Sequence, residues 1–221
     1  MRRAAEGLRL VISLLAVAGF ATGGIVVLRD LLEEPEPRVE ILPASSEQPV
    51  SAAPITFAPR QGWTDTKPAA TGSARPASLR IPGFGVDAPI VPRAIDPATG
   101  AFDLPPDAST VAWWEPGPAP GDAGSAVLAA HVDYGGRVGV FYRLADAAPG
   151  ERVEVGYNDG TVRSFQVTEV VHYPKSSLPV DQVFRSGGPA TLTLVTCGGA
   201  FDQATRHYTD NTVVTAVPVV S

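Results

Sequence analysis

Between positions 78 and 221 the apolar residues fall in short runs, 79–81, 86–91, 110–114, 125–132, 152–157, 161–172, 190–196 and 212–219, separated by clusters of Pro, Gly and Asp. Runs of this length, rich in Val, Leu, Thr and aromatics, predict β-strands. In 190–196, strict alternation puts Leu192 and Leu194 on one face and Thr193, Val195 and the following Cys197 on the other. Asn158-Asp159-Gly160 lies between two of the runs, where Asp-Gly predicts the positive φ angles of a tight hairpin. The one helical candidate in this region is a turn at 140–145. Eight strands over this length suit a closed barrel or a sandwich. Closure leaves few exposed edges, so the expected fold is all-β, a closed eight-stranded barrel with short helical turns.

The first residues follow another pattern. From 10 to 28 there are 19 residues without a charge, enough at about 1.5 Å per residue to span a ~30 Å hydrocarbon core. Arg2, Arg3 and Arg9 precede the stretch and Asp30, Glu33 and Glu34 follow it, which orients the N-terminus to the cytoplasm and the rest of the chain outside. The stretch also reads as a cleaved signal peptide, since Ala16-Val17-Ala18 resembles a cleavage site. Both readings export the chain. From 33 to 77 the sequence is rich in Pro, Ala, Ser and Thr and lacks sustained periodicity, which predicts an extended linker with no core of its own; Trp63 is its stray aromatic. The expected organisation is therefore a membrane anchor or signal peptide at 1–32, a Pro-rich extracytoplasmic linker at 33–77 and a folded domain at 78–221.

Composition narrows the chemistry. A formal net charge of -6 argues against a nucleic-acid partner, which calls for a basic surface. One Cys among 221 residues excludes an intramolecular disulfide and any zinc site built from several thiolates. Cys197 is followed at once by Gly198 and Gly199, which predicts a thiol where a strand opens into a loop, accessible to a ligand. It reads either as a nucleophile or as a small buried hydrophobe. In an exported chain an unpaired thiol is open to oxidation, which favours use.

A nucleophilic thiol needs a partner that takes its proton. The candidates are His131 at the end of the 125–132 run, His172 at the end of 161–172, and His207 in the loop after Cys197. His131 is favoured because a strand end holds its ring, and Asp133, two residues on, would orient it or serve only as a turn residue. An oxyanion formed by attack on a carbonyl needs a donor. Arg206 is the one Arg or Lys after Cys197; it would supply a guanidinium fork, or form a surface ion pair with Asp202 or Asp210. A zinc site from Cys197, His172 and His207 lacks a recognised spacing.

Thr193-Leu194-Val195-Thr196-Cys197 resembles the TLxTC signature of sortases, the membrane-anchored cysteine transpeptidases of Gram-positive bacteria. His131 lies 66 residues before Cys197 and Arg206 nine after it, the order of the sortase His, Cys and Arg. His131-Val132-Asp133, Thr196-Cys197-Gly198-Gly199 and Phe201-Asp202 are most similar to the class F sortases of actinobacteria. The resemblance implies that Cys197 attacks the Thr-Gly bond of an LPxTG-like sorting signal, that His131 acts as acid and base, and that Arg206 steadies substrate and oxyanion. A cell-wall amine, such as a peptidoglycan precursor, then resolves the thioester. Thr196 would assist as a neighbouring hydroxyl. Leu178, Val180, Val183 and Phe184, in the segment 173–188, would contact the Leu-Pro part of the signal or pack the loop. No cofactor or metal is implied, since the acidic clusters of calcium-activated sortases are not evident.

Other cell-wall classes fit less well. L,D-transpeptidases place their Arg close behind the Cys, and NlpC/P60 peptidases place Cys before the histidines. A tethered, non-catalytic surface module is the remaining alternative, against which the intact Cys197, His131 and Arg206 speak.

Overall fold

The computed structural model describes Ile55 and residues 74–219. The expected membrane segment at 10–28, Trp63 and most of the expected linker lie outside the described residues. Among the described residues no helix is long and apolar enough to cross a membrane.

The apolar runs become β1 (Pro76–Ile81), β2 (Val86–Arg93), β3 (Val111–Trp114), β4 (Ser125–Ala129), β7 (Arg152–Tyr157), β8 (Val162–Pro174), β9 (Thr191–Asp202) and β10 (His207–Pro218). These eight close into a barrel in the order β1-β2-β3-β4-β9-β10-β8-β7, with β1 pairing back onto β7. The pairs β2–β3 and β4–β9 are parallel and the others antiparallel. A short hairpin of β5 (Asp133–Tyr134) and β6 (Arg137–Val138) stands apart from the barrel.

Alternation explains which side chains fill the barrel. Leu79 and Ile81, Val153 and Val155, Leu192 and Leu194, and Val214 and Ala216 share one buried cluster. Each large apolar side chain removed from water there contributes roughly 1.5–3 kcal/mol. The opposite face of β9 is buried as well: Val195 and Cys197 join Val127, Ala129 and Val213 in a second cluster, covered by Phe102 from the β2–β3 loop and by Leu178, Val183 and Phe184 from the β8–β9 loop. Burial on both faces accounts for the near-continuous apolar run of β9. The cluster also includes Ile55, fully buried, whose carbonyl accepts from Phe102 N at 2.9 Å. The stretch expected to carry no core thus contributes one core residue.

Three expectations about local structure change. Gly198 and Gly199 do not end β9, which stays paired with β10 beyond them through Gly198↔Asp210, Phe201↔Tyr208 and Asp202↔His207. Cross-strand pairing outweighs the weak strand preference of glycine, and Gly199, at φ +75, takes up the register shift between Tyr208 and Asp210. His207 accordingly lies in a strand. At the 158–160 turn only Gly160 has positive φ, since Gly160 N donates to Tyr157 O and Tyr157 N to Thr161 O, a three-residue loop in place of a two-residue Asp-Gly turn. Finally, the helical turn near 140–145 is a 3-10 turn at Leu144–Asp146, and the β8–β9 loop holds a further 3-10 turn, Lys175–Ser177, and α1 (Val180–Val183). A four-residue helix is too short to leave a periodic signal.

Candidate active site

The parallel pairing of β4 with β9 carries a constant offset of 66, from Ser125↔Thr191 to Ala129↔Val195. Ala130 N continues it by donating to Val195 O. β4 ends at Ala129, so His131, 66 residues before Cys197 in the sequence, follows two residues past the paired strand rather than standing at its end. On the other side of β9, Cys197 pairs with Asn211 of β10, and Asn211 pairs with Tyr173 of β8. Cys197, Asn211 and Tyr173 therefore form one row across β9, β10 and β8.

His131 is buried, at 7% exposure. Its Nε2 lies 3.1 Å from the carbonyl oxygen of Pro105 in the β2–β3 loop, and its ring rests on Tyr134 with centroids 4.7 Å apart. A carbonyl only accepts, so Nε2 carries the hydrogen and Nδ1 is the basic nitrogen of the neutral ring. Burial lowers the pKa of His131 below the ordinary 6.5, against the opposing pull of the Pro105 carbonyl, Asp107 and Asp133. Close packing holds the segment in place: Gly139 N donates to Val132 O, and a Cβ at Gly139 would fall 2.1 Å from the carbonyl oxygen of His131.

Burial raises the pKa of the Cys197 thiol, the Lys175 ammonium lowers it by its charge and by a hydrogen bond, and Asp133 raises it. Tyr208 is pushed up to about 12 by burial, by the charge of Asp133 and by a hydrogen bond to that carboxylate. Asp133 thus sits between the imidazole, the thiol and a phenol. Both displacements favour the uncharged forms, a thiol and an imidazole.

Asp133 acts by charge on both His131 and Cys197. The direct partner of the imidazole is the Pro105 carbonyl, with Asp133 acting through its charge. Thr196 is close in sequence but serves otherwise: it lies on the face of Leu192 and Leu194, and its Oγ1 donates to Ala130 O at 2.8 Å. Arg206 lies in the β9–β10 turn, half-buried, with φ 57. Leu178, Val183 and Phe184 are buried in the cluster that holds Cys197, with Val180 partly buried at its edge, and Phe184 meets Trp114 edge-on at 4.9 Å. His172 bonds Thr212 Oγ1 through Nδ1, and His207 pairs with Asp202.

Lys175, Asn211, Tyr208 and Pro105 belong to the site without having been singled out in the sequence. Only the register of β8 and β10 and the path of the β2–β3 loop bring them near. Among the described residues no group of three or more His, Cys, Asp or Glu side chains is placed to hold a metal ion.

A closed eight-stranded barrel of this order, with a cysteine on β9 beside the strand that leads to a histidine, is a sortase-like scaffold. A family model described as the sortase domain matches residues 79–219, and the chain belongs to the sortase family of cysteine transpeptidases. Among solved structures, sortase C1 of Streptococcus agalactiae is similar at 20% identity and a TM-score of 0.51, over 66% of this chain and 67% of that one. A mutant of sortase C-1 from Streptococcus pneumoniae is similar at 18% identity and 0.51, over 66% of each chain. Sortase C-1 from Actinomyces oris follows at 19% identity and 0.50, over 66% of this chain and 74% of that one. These likenesses speak for the fold. No curated protein matches the chain.

Proposed function

We propose that this sortase cleaves an LPxTG-like signal between Thr and Gly and transfers the acyl fragment to a cell-wall amine. The observation that supports the reading is the parallel register of β4 with β9, whose offset of 66 is also the sequence separation of His131, two residues past β4, from Cys197 in β9. The thiol proton passes to the imidazole, sulfur attacks the Thr carbonyl, and the imidazolium protonates the departing Gly amine. The thioester then accepts an incoming amine, whose proton returns to the imidazole, and the thiol is restored. The cationic part has two candidates with separate tasks. Lys175 acts on the thiol, and Arg206, by the sortase resemblance, steadies the substrate and its oxyanion. Leu178, Val180, Val183 and Phe184 form the apolar wall proposed for the Leu-Pro part of the signal. The motifs around His131 and Cys197 favour class F, and the apolar segment at 10–28 favours a single-pass membrane protein with its catalytic domain outside the cell.

The test is mass spectrometry of the full-length protein incubated with LPxTG-type peptides and an amine acceptor. An acyl adduct on Cys197 and a transferred product are expected, both lost in Cys197→Ala while the barrel stays folded. Turnover retained by Cys197→Ala would remove the assignment.

A further inference from the structure

Asn211 is fully buried, and among the described residues neither its Oδ1 nor its Nδ2 has a hydrogen-bond partner. A buried amide left unpaired costs about 1–3 kcal/mol, and a fold that keeps one generally does so for use. Its place gives the use. Asn211 is the direct cross-strand partner of Cys197, and facing residues in an antiparallel pair project to the same side with Cβ atoms about 4.5–5.5 Å apart. Val213, two residues on, lies in the cluster that holds Cys197, whereas Val214 and Ala216 point into the barrel. Asn211 therefore projects beside the sulfur.

We propose that Asn211 is a positioning residue of the site, whose side-chain Nδ2 donates a hydrogen bond to the Cys197 thiolate once the proton has left. This rests on Cys197 being the nucleophile. In the resting arrangement Nδ2 does not bond the sulfur; a thiolate, a stronger acceptor than a thiol, draws the neighbouring amide to it and satisfies the donor. The unpaired resting state and the paired activated state together favour ionisation of a sulfur that burial otherwise keeps protonated. The other groups facing this pair are Lys175 from the turn after β8, Tyr173 from β8, Asp133 from β5, Tyr208 from β10 and His131 after β4. Of these, Lys175 acts in the same direction as Asn211, by charge.

The experiment measures iodoacetamide alkylation of Cys197 against pH in the full-length protein, read by intact mass, together with thermal unfolding. Asn211→Leu keeps the volume and removes the donor. It is expected to slow alkylation at neutral pH by roughly tenfold or more and to move the midpoint upward, while the melting temperature holds or rises because the unpaired amide is gone. Asn211→Asp, which accepts without donating, is expected to move the midpoint further. Should the Leu variant not fold, Asn211→Ser and Asn211→Ala carry the same comparison, with Ser keeping a donor. An unchanged alkylation profile in the donor-less variants would overturn the proposal and leave Asn211 a structural orphan. Because alkylation reads the thiol alone, a wild type that alkylates yet transfers no peptide refutes the proposed transpeptidation and leaves this inference standing.

Discussion

The hydroxyl of Thr196 donates to the carbonyl of Ala130 at 2.8 Å, tying the residue before the nucleophile to the residue before the histidine. One side-chain bond thereby couples the placement of the two reacting groups. Thr196→Val keeps the shape and removes the bond. It is expected to cost about 1–3 kcal/mol in chemical denaturation, because a buried carbonyl loses its donor. Turnover should fall roughly tenfold or more through the loosened His131. Normal stability and normal turnover together would reduce Thr196 to a spacer.

The two cations are expected to separate by assay. Lys175→Gln removes the charge beside the thiol and should shift the alkylation midpoint of Cys197 upward. Arg206→Lys should leave alkylation unchanged and lower kcat/KM for the peptide, since one ammonium does not copy a planar fork. Equal turnover in Arg206→Lys and wild type would place Arg206 outside the chemistry.

The pH dependence follows from opposite displacements. Burial lowers the imidazole below 6.5 and raises the thiol above 9.0. The imidazolium–thiolate pair has the same net protonation as the neutral pair, so its population stays constant between the two values and falls outside them. A kcat/KM profile with a broad plateau is expected, its acid limb below the ordinary histidine value and its alkaline limb above the ordinary cysteine value. A narrow bell centred on either reference value would contradict the displacements.

Gly139, eight residues after His131, offers a probe of how the imidazole is held. A Cβ there would overlap the His131 carbonyl, and backbone cannot swing aside as a flexible side chain can. Gly139→Ala is expected to displace His131 and abolish most turnover while Cys197 still alkylates. Wild-type turnover would show that the segment moves at little cost.

The strand runs and their alternation were legible because barrel strands need one apolar face, and period two records it directly. The alternation of 190–196 correctly put Cys197 on the face away from Leu192 and Leu194, and the 66-residue spacing of His131 and Cys197 in sequence is the same number as the β4–β9 register. The Gly-Gly pair misled because local propensity is weaker than a full ladder of hydrogen bonds, which carries β9 on to Asp202. Asp133 was readable as a neighbour of His131, whereas its bond with Tyr208 depends on a strand 75 residues away.

What the amino-acid order determined by itself is the set of faces: which side chains enter the barrel, which stand outside it, and which residue types are capable of the chemistry. The tertiary structure decided the rest through register and loop path. It set Asn211 beside Cys197, put the Pro105 carbonyl on the imidazole, brought Lys175 to the thiol and carried Arg206 to the hairpin turn. Side-chain periodicity is a property of one strand, whereas the level at which two strands meet is set by the closure of all eight.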